Sequence, residues 1–394
     1  MNTTKKILLD SWQVSGTKNM NRLIDTLDTL TSITKLCPCR TNQIQIMTVS
    51  EVNDKDICGF LHNSISGTQN HPMAKDALMK HDGLDDDLAN ETENVSHTLF
   101  KLGNGVFFSS KKVLRTLCQR AGTNMGDFAL RDELNIRFHR DAGYVAYMGT
   151  VPSQCQILFR EVDNAKKIFA VFADRYRIIP QNALFKSILS DFEKELGKAS
   201  LSYYSVSNAE TEIYLEFPKK AKDFSKVYNL KDTLIPGLRI NMSDIGESSF
   251  IINGYLRINN SITYIPGANY SRAHTKNAEL DAIIENVGKA IFTEYTKIPE
   301  RLMELLSIDI KDAEQLIPKV LRYCNIKKDF GAKIENAILE NLIATVNPAL
   351  NYTAYDIALM IVDSCTEFEE NHKREFVSKM RNCSSKAIFY RYEN

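Results

Sequence analysis

Two tripeptides invite a chemical reading. His139-Arg140-Asp141 lies within "RFHRDAGYV" (137–145), and Asp329-Phe330-Gly331 lies within "KKDFGAK" (327–333). In protein kinases these tripeptides supply a catalytic base and a magnesium ligand, and both must reach one phosphate group. Here Asp141 and Asp329 stand about 190 residues apart instead of a few tens. No Gly-rich phosphate loop precedes position 137, and no strand lysine and helix glutamate follow in the required order. The pair is a coincidence of a long chain, and Gly331 reads better as a helix stop.

Other catalytic signatures are missing. The sequence carries no Walker loop, GxGxxG, GxSxG or HExxH. "HDGLDDD" (81–87) gathers acceptors for a cation but lacks the alternating ligands and closing Glu of a calcium loop, so it reads as a solvated acidic loop. Eight cysteines are scattered and only Cys37-Pro38-Cys39 is close-spaced, which predicts reduced thiols rather than zinc knuckles. The expectation is no metal, no cofactor and no catalytic residue. No nucleophile, base or metal set marks an enzyme.

A basic and aromatic constellation remains. The chain is neutral overall, with 49 Lys+Arg against 49 Asp+Glu. Residues 51–100 hold three basic and ten acidic side chains, whereas 101–178 hold thirteen basic and seven acidic, a net of +6. Cations track phosphates and aromatic rings stack on bases, so this mixture suits a groove for single-stranded nucleic acid. The candidates are Arg137, Arg140, Lys166, Lys167, Arg175 and Arg177 for phosphate, with Tyr176, Tyr203 and Tyr204 for bases. The plain alternative is a charged surface over buried tyrosines.

The elements that must position these groups follow from periodicity. Leu23, Ile24, Leu27, Leu30 and Ile33 predict a helix over 19–37 that Pro38 breaks. Residues 111–122 predict a helix closed by Gly122. Strands are expected at 142–151, 166–174, 211–217, 237–243, 248–259 and 261–267. Between the second and third of these, Pro180 opens a helix with a Leu184, Phe185, Ile188, Leu189 and Phe192 stripe, and Gly197 closes it. From Ala278 the pattern turns helical: one long helix bent near Pro299, then helices at about 311–324, 331–346 and 353–382. The fold class is α+β, with a mixed N-terminal part (1–100), a basic, β-rich central domain with an antiparallel sheet (101–275) and an α-helical C-terminal part (276–394).

The segment "FADRYRIIPQNALFKSILSDFEKEL", with Asp174, Arg175, Tyr176 and Pro180, resembles a family of phage and plasmid proteins grouped as domain of unknown function 932. "MSDIGESSFIINGYLRI", with Ser243, Asp244 and Gly246, is similar to that family's polar turn between strands, and "NYTAYDIALMIVDSCTEFEENH" to its late helix. The resemblance spans about 170–385. The family's usual segment after the turn is replaced by "NNSITYIPGANYSRAH". The resemblance implies a mobile-element origin and a host-cell cytoplasm, and it implies no chemistry. Several antiparallel strands followed by a long helix are also similar to the core of single-strand annealing proteins, a fold-level analogy only.

These readings converge on a phage-encoded, non-enzymatic protein that binds nucleic acid, single-stranded DNA above all, as an annealing or recombination factor. The alternatives are a protein that binds or inhibits a host factor, with the acidic 81–94 loop as its surface, and a self-assembling structural protein. The chain has no apolar run long enough for a bilayer, and "MNTTKKILLD" is too short and charged for a signal peptide. The expected setting is therefore cytoplasmic, without a membrane partner and with a homo-oligomer as one outcome.

Overall fold

A computed structural model describes residues 5–40, 44–47, 88, 91, 99–102, 105–113, 115–116, 154–163, 165–220, 233–246, 248–274, 280–369 and 374–392. Its strands are β1 (Gln13–Gly16), β2 (Thr34–Arg40), β3 (Ile44–Met47), β4 (Leu99–Leu102), β5 (Gly105–Ser109), β6 (Gln154–Val162), β7 (Ala165–Ala173), β8 (Ser200–Ser207), β9 (Thr211–Glu216), β10 (Leu234–Met242), β11 (Phe250–Ile258), β12 (Ser261–Arg272), β13 (Asp309–Ile310) and β14 (Tyr352–Thr353). Its helices are α1 (Met20–Ile33), α2 (Gln181–Leu196), α3 (Leu280–Leu306), α4 (Ala313–Cys324), α5 (Ile326–Phe330), α6 (Ala332–Thr345), α7 (Ala354–Glu367) and α8 (Arg374–Ser384). The fold is α+β, with a central antiparallel sheet and C-terminal helices.

The central sheet runs β1-β8-β9-β10-β11-β12 and is antiparallel throughout. Period-2 alternation places Leu215 and Ile213 on its apolar face beside Leu238 and Ile240, all fully buried. On the other face Tyr214 and Glu212 lie beside Arg239 and Asn241. Burying each large apolar side chain of the first kind contributes ~1.5–3 kcal/mol. The second kind must be satisfied by partners, and that requirement builds the sites described below.

A second six-stranded sheet was not foreseen. Its order is β2-β6-β7-β5-β4-β3, with β5 parallel to β7. The strands of the first 100 residues are thus shared between the sheets, β1 with one and β2–β4 with the other. The first helix is shorter than expected. α1 buries Leu23, Leu27 and Leu30 but stops at Ile33, and Thr34 turns extended with φ −87° and ψ 125°. Residues 34–40 then pair with β6, and Pro38 is tolerated because β2 is an edge strand. Cross-strand pairing here overrides the helical periodicity. The strand expected at 142–151 lies outside the described residues, as does most of the helix expected at 111–122.

α2 follows Pro180 and ends at Gly197, as its stripe predicts, with Leu184, Phe185, Ile188 and Phe192 buried. Asp28 on α1 accepts from Asn182 and Lys186 on α2, at 2.8 Å each. The expected helix over 353–382 is two helices. Thr353 and Asp356 form a capping box that starts α7, and α8 comes back so that Arg381 pairs with Glu369 at 2.8 Å. No helix among the described residues is long and apolar enough to cross a membrane.

Candidate functional site

The sequence-derived candidates do not share one surface. Arg137 and Arg140 lie outside the described residues. On β7 the two lysines separate by strand alternation. Lys166 is 37% exposed and pairs with Glu161 at 3.4 Å. Lys167 is buried instead, with Nζ 3.0 Å from Asp10 and 2.5 Å from Glu91. Tyr176 is buried too. Its Oη donates to the Asp244 carbonyl at 2.5 Å, and its ring stacks with Phe172 and His274. Tyr204 is fully buried, and a Cβ at Gly16 would stand 3.1 Å from its ring. Lys167, Tyr176 and Tyr204 are therefore corrections to the proposed phosphate and base contacts, because their side chains are used in the interior. Arg175 and Arg177 are exposed, and Arg177 donates to the carbonyls of Asp174 and Tyr176.

The residues behind the family resemblance do meet. The turn carrying Asp174 and Tyr176 follows β7, and the turn carrying Ser243, Asp244 and Gly246 follows β10. Beyond the Tyr176–Asp244 bond, a Cβ at Gly246 would stand 2.9 Å from Phe172. Arg160 of β6 lies beneath, 1% exposed. It donates to Thr34 Oγ1 at 3.1 Å and to Asn208, and it lies 3.8 Å from Asp244. Burial pushes the Arg160 pKa down to about 10 against the pull of Asp244, and burial raises that of Asp244. This knot holds the two sheets together.

On the polar face of the central sheet, Arg239 Nε donates to Glu212 at 2.7 Å and Tyr214 Oη to the same carboxylate at 3.2 Å. α8 covers this face. Arg381 holds Glu369 through Nε and Nη2 and donates from Nη1 to Tyr214 Oη at 3.2 Å, while Arg239 reaches Ser378. Burial raises the pKa of Tyr214, so this phenol stays protonated, and burial also raises Glu369 despite Arg381. Gly237 makes room on this face: a Cβ there would stand 2.3 Å from the Tyr255 ring and 2.6 Å from the Leu215 carbonyl. A pocket of about 290 Å³ remains, walled by Tyr203, Tyr214, Glu212, Ile262, Val377 and Arg381. Of the three base-stacking candidates, Tyr203 lines this pocket, whereas Tyr176 and Tyr204 are buried.

A larger cleft, about 420 Å³, opens between α4, α5 and α6. Asn325, at φ 62°, ends α4, and Gly331, at φ 90°, separates α5 from α6, so the chain folds back sharply. These turns bring Arg322, Asn325, Lys327, Lys328 and Glu335 to one opening beside Leu321 and Leu339. Arg322, Lys327 and Lys328 are exposed, and none has a carboxylate partner among the described residues. Asp329, the acid next to them, is used elsewhere: the Cys383 thiol reaches it at 3.3 Å and Lys379 at 3.6 Å. Lys319 and Lys333 are exposed on the same helices, Lys311 is exposed just before α4, and Tyr323 is 48% exposed.

Sequence reasoning missed this cleft. Its signal lay in "RYCNIKKDFGAK", where Arg322, Lys327, Lys328 and Lys333 surround a single acid. Comparison with family models, curated proteins and solved structures finds no match to this chain. The chemistry of the site therefore rests on its own geometry.

Proposed function

We propose that this chain is a non-enzymatic nucleic-acid-binding protein, with single-stranded DNA its favoured ligand and annealing or recombination of mobile-element DNA its setting. One observation carries the reading: Arg322, Lys327 and Lys328 stand exposed around one cleft that also holds Glu335, and none of the three is in an ion pair among the described residues. Such cations gain by neutralising phosphates and releasing counterions, whereas cations already in ion pairs do not. Tyr323, the next residue of α4 though not part of the cleft wall, is 48% exposed with its ring edge-on to Tyr390, and it offers an aromatic surface to a strand that runs past the cleft. Paired bases would hide that stacking face, which favours a single strand.

The test is fluorescence polarisation of a labelled single-stranded oligonucleotide at low and moderate salt. The wild-type chain binds with a clear salt slope. Replacing Arg322, Lys327 and Lys328 together by alanine lowers that slope by about 2, at roughly 0.7 per phosphate contact, and leaves the melting temperature unchanged. Binding that ignores salt, or a triple variant that binds like the wild type, overturns the proposal.

A further inference from the structure

The pocket on the polar face of the central sheet differs in chemistry from the helical cleft. Its arginine, Arg381, already faces Glu369 at 2.8 Å, and its Glu212 is held by Arg239 at 2.7 Å. A phosphate finds no uncompensated charge there. Tyr203 and Tyr214 form an aromatic corner, with centroids 6.2 Å apart and planes inclined at 57°. A flat ring laid on one of them meets the edge of the other, an arrangement aromatic groups favour. Ile262 and Val377 supply aliphatic contact. The polar groups are fixed in place: Glu369 and Tyr214 Oη hold the Arg381 guanidinium, and the bonds it makes among the described residues leave a second hydrogen on each terminal nitrogen. Glu212 brings an acceptor to the same wall. At about 290 Å³ the space falls just under the ~300–1,000 Å³ typical of drug-sized ligands, so it suits a single ring system.

We infer that this pocket binds one neutral, planar heteroaromatic ring with donors and acceptors on its edge, the chemistry of a nucleobase, with Tyr203 as its stacking partner. The inference deepens the nucleic-acid reading, since a base flipped from a strand would enter here while its phosphates lie elsewhere. It also stands without that reading, because a free nucleoside presents the same ring.

The test uses the full chain and adenosine and cytidine, which carry no phosphate. Saturation-transfer NMR and tyrosine fluorescence report binding. The wild-type chain gives a saturable signal with at least one nucleoside. Tyr203→Ala weakens it about tenfold, while Tyr203→Phe, which keeps the ring, retains it. A triple alanine variant at Arg322, Lys327 and Lys328 binds the nucleoside as the wild type does. No saturable nucleoside signal, or a signal that Tyr203→Ala leaves unchanged, overturns the inference, and Tyr203→Phe shows whether the fold survives substitution at this position. Nucleoside binding without oligonucleotide binding supports the pocket and sinks the strand-binding proposal. Salt-dependent oligonucleotide binding without a nucleoside signal does the reverse.

Discussion

In the two sheets, Arg160, Lys167, Arg239 and Arg257 each lie against a carboxylate; around the α4–α6 cleft, Arg322, Lys327 and Lys328 form no ion pair among the described residues. Both regions are rich in bases. The sheets use theirs to close polar faces that would otherwise be buried unsatisfied. The α4–α6 cleft leaves these three in water, where a polyanion can reach them. A local excess of bases therefore says little about binding until the acids that approach from distant parts of the chain are known. Asp10 and Glu91, which hold Lys167, lie well outside the basic segment that contains it.

The largest expected effect tests the interior side of this contrast. Lys167→Ala leaves Asp10 and Glu91 facing each other without their cation, and should cost ~3–5 kcal/mol in urea denaturation. Lys166→Ala, one residue away on the exposed side, should change stability by less than about 0.5 kcal/mol. Equal effects would break the distinction between paired-in and surface bases. Next comes Gly237→Ala. The added methyl collides with Tyr255 and the Leu215 carbonyl, so a loss of roughly 1–3 kcal/mol is expected by thermal melting, with a weaker nucleoside signal. Full stability in this variant would show that the polar face is looser than its hydrogen bonds indicate.

The smallest effect concerns pH. His274 stacks on Tyr176, and burial lowers its pKa despite the nearby Asp244. The unfolded chain then takes up a proton at this residue before the folded chain does. Its stabilising effect is full above about pH 6.5 and is lost as pH falls below that value. Melting temperatures of wild type and His274→Gln between pH 7.5 and pH 5 check this: their difference should shrink on acidification. A difference that stays constant would mean that His274 is solvated in the native state.

Much of the architecture was legible in residue patterns. The Leu184-to-Phe192 stripe, the alternation of β9 and the turn signals between β10, β11 and β12 placed those elements closely. The α+β class followed from their order. Three things were not legible. Thr34–Arg40 joins β6 across more than a hundred residues, and no local pattern reports such a partner. The division of 353–382 into α7 and α8 goes with the pairing of Arg381 to Glu369, twelve positions apart, which no helical periodicity reports. The inward turn of Lys167, unlike Lys166, depends on where Asp10 and Glu91 arrive. Tyr203 could be named as a binding residue from its type alone, but its difference from the buried Tyr204 is one step of strand alternation.

The pairing of β1 with β8 also has a consequence in time. Gln13 lies opposite Ser207, and Asn208 holds the carbonyls of Ile7 and Leu9. During synthesis at ~5–20 residues per second, the first strand is made roughly 10–40 s before the strand that receives it. For that interval Gln13–Gly16 has no native neighbour in the central sheet, and that sheet can be completed only once β12 has been made, at Arg272 of 394 residues.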